Sequence, residues 1–150
     1  MDIHITFPGG KKVNAEFGAH VVQTDQSGRN GGEGSAPEPF SYFLASLGTC
    51  AGIYVLGFCQ SRNLPTQGLA LTQRNTFNAT THALEKVAFD ITVPDNFPEK
   101  YVAAVKAAAE NCAVKKVLHN PPAFDITVSK LGITQPGAAA RRPLQRVALH

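Results

Sequence analysis

Cysteine is scarce in this chain. Only three of the 150 residues are cysteines, and the chain has no tryptophan and a single methionine. No two cysteines form a Cys-x-x-Cys pair, and no cysteines and histidines cluster at the spacing of a zinc site. The sequence therefore argues against the common zinc modules and against a disulfide-rich scaffold, so each thiol has to be interpreted on its own.

Charged residues are also few, at 17% of the chain, and the net charge is +3 at pH 7. Arg141, Arg142 and Arg146 contribute much of this charge from a position close to the C-terminus. Without them the chain is about neutral, and it has no stripe of basic and aromatic residues of the kind that a nucleic-acid groove needs. We therefore expect no nucleic-acid partner.

Uninterrupted hydrophobic runs are missing as well. Serine, threonine and glycine residues interrupt the most apolar stretch, Phe40–Cys59, which suits a buried helix better than a membrane span. Residues Met1–Gly10 lack the basic start and the apolar core of a secretory signal. We expect no membrane insertion, a cytoplasmic location and, since 43% of the residues are apolar, one domain with one core.

The N-terminal part of the chain has the pattern of antiparallel strands. Apolar and polar residues alternate over 3–7 and 13–17, on either side of the turn Pro8–Gly10, which predicts a β-hairpin. A third strand is predicted over His20–Thr24. The polar, glycine-rich segment Asp25–Gly34 that follows is expected to be a loop.

A long helix is predicted after this loop. The tetrapeptide Ser35-Ala-Pro-Glu38 fits a capping box, and Asn63-Leu-Pro65 ends the helical pattern. Apolar residues surround the helix almost completely, so we expect it to be covered on nearly all sides. Its glycines at positions 48, 52 and 57 reduce helix propensity, which indicates a close approach of another backbone.

Two strands, a second helix and a last strand complete the predicted order. The strands are expected at Leu69–Phe77 and Leu84–Val93, and the second helix should start near Asn96. Asn120-Pro121-Pro122 ends the helical region, and Phe124–Leu131, which repeats the pentapeptide Phe-Asp-Ile-Thr-Val of the preceding strand, predicts the last strand. The domain should span residues 1–131, and residues 132–150, rich in alanine, arginine and proline, should form a loose tail.

The two cysteines of the first helix differ in what they can do. Small residues surround Cys50, so its sulfur either fills the core or lies beside space for another helix or a small substrate. Cys59 is nine positions further on, on the opposite face of a continuous helix and roughly 13 Å away along the axis. A bridge between them is excluded while the helix persists. We expect a structural role for Cys59.

Cys112 lies where one helix can end and another can begin, in Glu110-Asn111-Cys112-Ala113. Its sulfur would then be close to a helix N-terminus, with Lys115 and Lys116 one turn further on, and both features favour a thiolate. The alternative is that Cys112 fills the core and that the lysines form a solvated face. The local sequence leaves both interpretations open.

Two segments resemble one known family. The run Gly34–Cys50, GSAPEPFSYFLASLGTC, resembles the first-cysteine helix of the OsmC/Ohr family of osmotically inducible and organic hydroperoxide resistance proteins, and Cys112–Leu118 resembles that family's second-cysteine segment. The order of the predicted elements is also similar over residues 1–131. The resemblance implies an α+β fold in which antiparallel sheets wrap two long central helices, as an intertwined homodimer with active sites at the subunit interface.

The resemblance also implies a chemistry. Cys50 resembles the thiol that attacks peroxide and Cys112 the thiol that resolves the product as a disulfide, so we expect a thiol-dependent peroxidase. An external dithiol, for example of the lipoyl type, would reduce the pair again, without a metal or organic cofactor. Lys11 and Lys12 would stand in for a hairpin arginine of the family, and Glu38 is the acid nearest to the position of its glutamate.

Two other functions remain open at this point. The missing arginine and glutamate, together with the very apolar cysteine helix, suit a binding or sulfur-handling protein on the same scaffold. A metal site formed by Cys50, Cys112 and His119 is a further alternative, although His119 lies seven positions after Cys112 and no acid that could support such a site is close in sequence.

Overall fold

Antiparallel strands and helices alternate along residues 1–130, the part of the chain that the computed structural model describes. The α-helices and strands, in chain order, are β1 His4–Gly9, β2 Lys12–Phe17, β3 His20–Val22, α1 Pro39–Gln60, β4 Ala70–Phe77, β5 Leu84–Thr92, α2 Val102–Glu110 and α3 Ala113–His119. Short 3-10 turns at Gly28–Asn30 and Glu99–Tyr101 precede α1 and α2. The architecture is α+β, as predicted.

The N-terminal sheet has the order β1-β2-β3, with Ile5 opposite Ala15 in the hairpin. Gly9 and Gly10 have φ angles of 123° and 59°, which only glycine adopts easily, so the predicted turn forms at these residues. The third strand is shorter than predicted. Thr24 lies beyond its end, but the backbone amide of Val13 still donates a hydrogen bond to the carbonyl of Thr24, with N and O 3.2 Å apart.

Helix α1 begins at Pro39, three residues after Ala36, the first helical residue that the capping box predicts. Ser35 does not cap it, because its hydroxyl donates instead to the carboxylate of Asp25 at 2.7 Å. Glu38 occupies the N-cap position with extended backbone angles and makes no side-chain capping bond. The predicted capping box is therefore wrong, and Pro39 starts the helix because a first-turn residue needs no amide hydrogen.

One stripe of α1 enters the core of the chain. Its buried residues are spaced by four and are Leu47, Ala51, Val55 and Cys59. The expectation that the helix is covered on nearly all sides is wrong for this chain, since Ile53 is 59% exposed and Phe40 50% exposed. The remaining apolar face has no covering layer within residues 1–130.

The hairpin of β4 and β5 packs beside α1 and completes the core with α2. Phe97, Val105, Ala109 and Cys112 are buried against the α1 stripe. The β4 side chain of Gln73 lies against Gly48, where an added Cβ would be 2.5 Å from its Oε1, and its Nε2 donates to the carbonyl oxygen of Leu44 at 3.0 Å. The predicted close approach of a backbone is therefore wrong: a side chain lies against Gly48, and a Cβ added at Gly52 or Gly57 would meet nothing within 4 Å.

The second helical region is divided into two helices. Asn96 does not begin it, since a 3-10 turn over Glu99–Tyr101 leads into α2 at Val102. The chain leaves the helix at Asn111, whose side-chain amide donates to the carbonyl of Ala107 at 3.1 Å, and becomes helical again at Ala113. The break that Glu110–Ala113 permits is therefore present.

The predicted last strand does not form within the described residues. Residues 121–130 have no regular secondary structure, and Phe124, Ile126 and Val128 are 84%, 90% and 94% exposed. No strand of residues 1–130 pairs with this segment, although its alternating apolar side chains are those of a half-buried strand. Leu131 and the predicted tail, residues 132–150, lie outside the described part of the chain.

Helix α1 is long and apolar enough to cross a membrane by length and composition alone, and 22% of its most apolar 18-residue segment is buried. The core helix of a soluble protein passes the same test, so one such helix is weak evidence for a membrane span. The expectation of no membrane insertion stays a prediction.

Candidate active site

The fold brings Cys50 and Cys112 together. Cys50 lies on α1 and is half-buried, whereas Cys112 is fully buried at the N-cap position of α3, and both are free thiols. Cys50 packs against the buried cluster that contains Cys112, and a hydrogen bond from the Cys112 side chain lowers the pKa of Cys50. Two cysteines that are 62 positions apart in the sequence therefore lie in one packed cluster.

The first turn of α3 also faces Cys50. Hydrogen bonds from the backbone N–H groups of Val114 and Ala113 lower the pKa of Cys50. Amides in the first turn of a helix have no partner within the helix, so they are free to bind an anion. The break at Asn111 is the feature that creates this turn, because a continuous helix would use the same amides internally.

These contacts favour the anionic form of Cys50. The hydrogen bond from Cys112 lowers the pKa of Cys50 most, followed by the bond from Val114, and the Ala113 amide and the charge of Lys115 act in the same direction. Partial burial opposes them. The sequence suggests that the helix start and the lysines act on Cys112, but the helix start and Lys115 lower the pKa of Cys50.

Cys59 has none of these features. It is fully buried in the α1 stripe, and burial raises its pKa, because the charged form would lose its hydration. It packs in the same core cluster as Val105 and Phe97. The environment is that of a structural thiol.

Lys11 and Lys12 lie apart from the two thiols of their own chain. The ammonium group of Lys12 forms an ion pair with Glu33, at 2.6 Å between Nζ and Oε2, and this bond raises the pKa of Lys12. Both lysines line a cavity of about 210 Å³ at the hairpin turn, together with Asp25 and Glu33. A role for either lysine beside a thiol stays a prediction.

Glu38 binds the loop that precedes α1. Its Oε1 accepts hydrogen bonds from the amide of Ser27 at 2.9 Å and from Nδ2 of Asn30 at 3.2 Å. The bonds to Ser27 contribute most to lowering the pKa of Glu38. Glu38 therefore contacts residues of the loop, and a catalytic role for Glu38 stays a prediction.

The sequence did not single out Asp25, which organises this loop. The residue is 1% exposed, and its carboxylate accepts bonds from the amides of Gln26, Glu33 and Ser35 and from the Ser35 hydroxyl. These bonds, those from Ser35 most of all, lower the pKa of Asp25 to about 2. An acid at the start of a glycine-rich loop is the only sequence signal of this role, and such acids are common at turns.

His119 does not join the thiols. It is the last residue of α3, whereas Cys112 precedes the first. Within residues 1–130, no group of three or more histidine, cysteine, aspartate or glutamate side chains is arranged to hold a metal ion.

A wide apolar groove of about 910 Å³ runs between α1 and α2. Ile53, Tyr54 and Phe58 line it from α1, and small alanines line it from α2. Asn111 and Lys116 also line the groove, and Asn111 directly precedes Cys112 in the chain.

Similarity to proteins of known structure identifies the fold. A protein of Psychrobacter arcticus 273-4, described as a candidate osmotic stress induced and detoxification response protein, aligns with a TM-score of 0.65 and 20% identity over 76% of this chain and 85% of its own. An OsmC-like protein from Mycoplasma pneumoniae aligns with a TM-score of 0.63 and 10% identity, over 80% of this chain and 87% of its own.

A third structure is an organic hydroperoxide resistance protein OsmC from Legionella pneumophila, also described as a predicted redox protein. It aligns with a TM-score of 0.51 and 18% identity, over 79% of this chain and 89% of its own. No curated protein sequence matches the chain significantly. The OsmC-like protein family matches residues 32–127, which include α1 and both paired cysteines. The fold is thus OsmC-like, and the chain belongs to the OsmC-like protein family.

Proposed function

We propose that this protein is a thiol-dependent peroxidase that reduces hydroperoxides through a dithiol-disulfide cycle of Cys50 and Cys112. The observation that carries the proposal is the packing of Cys50 against the buried cluster that contains Cys112. The Cys112 side chain and the first turn of α3 also lower the pKa of Cys50. Similarity to an organic hydroperoxide resistance protein supports the same chemistry.

The first half of the cycle oxidises Cys50. Its thiolate attacks one oxygen of the hydroperoxide, so that an S–O bond forms while the O–O bond breaks. The other oxygen leaves with the electron pair and takes up a proton, which gives the alcohol. Cys50 becomes a sulfenic acid. A lowered pKa helps this step because the thiolate, and not the thiol, is the nucleophile.

The second half restores the thiols. The Cys112 sulfur attacks the Cys50 sulfur, and the hydroxyl group leaves with a proton as water, so the pair becomes a disulfide. An external dithiol, such as a lipoyl group, then supplies two electrons and two protons and is itself oxidised to a disulfide. This cycle uses no metal or organic cofactor, and a reducing cytoplasm is the location that suits it.

The assembly we propose for this activity is a homodimer. Apolar side chains are exposed on the N-terminal sheet, on α1 and on residues 124–128. An isolated small sheet is marginally stable unless another layer covers its apolar face, and exposed apolar patches of this kind mark contact surfaces. A second copy of the chain would cover the groove between α1 and α2 at the same time.

Peroxide turnover tests the proposed function. The purified protein is supplied with cumene hydroperoxide and dihydrolipoamide, and peroxide loss is followed. We expect turnover by the wild type, none by Cys50→Ser, and a rate close to wild type for the matched control Cys59→Ser, whose thiol is fully buried and has a raised pKa. In Cys112→Ser, a sulfenic acid should accumulate on Cys50 and be trapped by dimedone.

Two results would reject the peroxidase. One is the absence of turnover in a folded wild-type protein with both hydroperoxide and dithiol present. The other is turnover that persists in Cys50→Ser. In the first case, a binding or sulfur-handling role on the same scaffold would replace the proposal.

A further inference from the structure

The hairpin of β4 and β5 has an open edge. Strand β5 pairs with β4 along one side, and no strand of residues 1–130 pairs with its other side. The backbone N–H and C=O groups along such an edge can pair with a further strand. An added strand would therefore extend this two-stranded sheet without disturbing the pairs that already exist.

A cleft of about 300 Å³ lies between β5 and α2. Phe89, Ile91 and Val93 line it from β5 and its end, whereas Val102 and Val105 line it from α2. No residue of β4 takes part, so the cleft lies toward the open edge of the hairpin. The three side chains from β5 are only half-buried, and Val102 is 40% exposed. The cleft thus leaves apolar surface beside the open edge uncovered.

The segment at 124–128 has the pattern of a strand that fits this edge. Its sequence, Phe-Asp-Ile-Thr-Val, is identical to that of residues 89–93. Its three apolar side chains alternate with polar ones and are almost fully exposed. A strand with one apolar face needs a neighbouring strand for its backbone groups and a second layer for that face. The open edge of β5 offers the first, and the cleft beside α2 offers the second.

The two identical pentapeptides match each other best in the antiparallel direction. Residues directly opposite each other in neighbouring strands lie on the same face of the sheet. With Ile126 opposite Ile91, every apolar residue of one strand lies opposite an apolar residue of the other, and Asp125 lies opposite Thr92. Full overlap in the parallel direction would instead place Asp125 opposite Asp90, and like charges in such a pair are destabilising.

We propose that residues 124–128 of one copy of the chain add to the open edge of β5 in a second copy. The segment stands clear of β5 in its own chain, since its apolar side chains are exposed. In a two-fold arrangement each copy donates one segment and receives one, so the contact forms twice and is closed. Backbone hydrogen bonds supply affinity, and the cleft receives the apolar side chains. This strand exchange rests on the homodimer of the proposed function and not on its peroxide chemistry.

Cysteine cross-linking of the full chain tests the strand exchange. In Thr92→Cys/Asp125→Cys the two new thiols lie opposite each other on the exposed face, close enough for a disulfide. After mild oxidation we expect an unreduced, denatured species of twice the chain mass of 16.0 kDa, in which peptide mapping finds positions 92 and 125 linked. The matched control is Thr76→Cys/Asp125→Cys, because position 76 lies on β4 at the far end of the hairpin. It should give no such linkage.

A charge on either face of the segment provides a second measurement. Ile126→Lys places a charge on the face that would enter the cleft, whereas Thr127→Lys places the same charge on the opposite face. Both positions are exposed in the single chain, so both variants should fold. By analytical ultracentrifugation, Ile126→Lys should raise the dimer dissociation constant roughly tenfold or more, because a charge is costly to bury in an apolar contact. Thr127→Lys should stay close to wild type.

Three results of the cross-linking in a dimeric protein would overturn the strand exchange. They are a link between positions 92 and 125 within one chain, a link between the 125 positions of two copies, and no link at either position. Equal dissociation constants for Ile126→Lys and Thr127→Lys would overturn it as well. A monomeric wild type would reject the homodimer together with the exchange, whereas peroxide turnover decides on the proposed chemistry independently.

Discussion

A single carboxylate, Asp25, orders the loop that leads into α1. It is buried, and all of its hydrogen-bond partners lie within ten residues along the chain, in the loop itself. Gly32 packs so tightly beside it that an added Cβ would meet the carbonyl oxygen of Gln26 at 2.0 Å. Because Glu33 of this loop forms an ion pair with Lys12, the loop also fixes the hairpin turn.

We predict that Asp25→Asn lowers the melting temperature at neutral pH by a few degrees, since an amide accepts fewer and weaker hydrogen bonds than a carboxylate. The pKa of Asp25 is lowered from 3.8 to about 2 on folding, so its contribution to stability is present above pH 3.8 and is lost as the pH falls to about 2. The difference from wild type in thermal melting should therefore disappear in strong acid.

Asp95→Asn is the control, because it removes the same charge from an exposed position. Its melting temperature should stay close to wild type at both pH values. An Asp25→Asn protein as stable as wild type at neutral pH would show that the loop does not depend on this carboxylate.

At the level of residues, the sequence predicts the two thiols but not their surroundings. Cys50 and Cys112 are found because each lies in a recognisable local motif. The partners of Asp25 and Glu38 are set by the path of a glycine-rich loop, which local patterns do not describe. The meeting of Cys50 and Cys112 depends on how α1 packs against α3, and this is a tertiary contact.

At the level of elements, periodicity finds the strands and helices more reliably than their ends. The alternation in β1 and β2 and the apolar spacing in α1 predict these elements correctly. The start of α1 is mispredicted because Ser35 binds Asp25, a partner that comes from the loop and not from the helix. Tertiary hydrogen bonds can thus override a local capping signal.

The segment at 124–128 shows the opposite case, in which the alternation of a strand has no partner strand within residues 1–130. Its side chains alternate as in β5, whose Phe-Asp-Ile-Thr-Val sequence it repeats, yet they are exposed. A strand needs a neighbour to satisfy its backbone groups, and no strand of residues 1–130 takes that place.

At the level of the whole molecule, the exposed apolar surfaces predict a homodimer. Light scattering coupled to size-exclusion chromatography should give twice the chain mass of 16.0 kDa at micromolar concentration. Ile53→Glu, on the uncovered face of α1, should shift the protein toward the monomer, because a charge in an apolar interface is costly to bury.

The control for this change is Thr80→Glu, in the exposed turn between β4 and β5, which should remain a dimer. A monodisperse wild-type species of 16.0 kDa would contradict the dimer. In that case the exposed residues of α1 would need another partner.

The most direct test of the central claim is a map of the disulfides after oxidation. The reduced protein is treated with one equivalent of hydroperoxide, digested without reductant and analysed by mass spectrometry. The packing of Cys50 against the cluster that contains Cys112 predicts one product, a Cys50–Cys112 disulfide that dithiothreitol reverses, with Cys59 still free. Recovery of Cys50 and Cys112 as unmodified thiols, at every ratio of hydroperoxide to protein, would contradict the account.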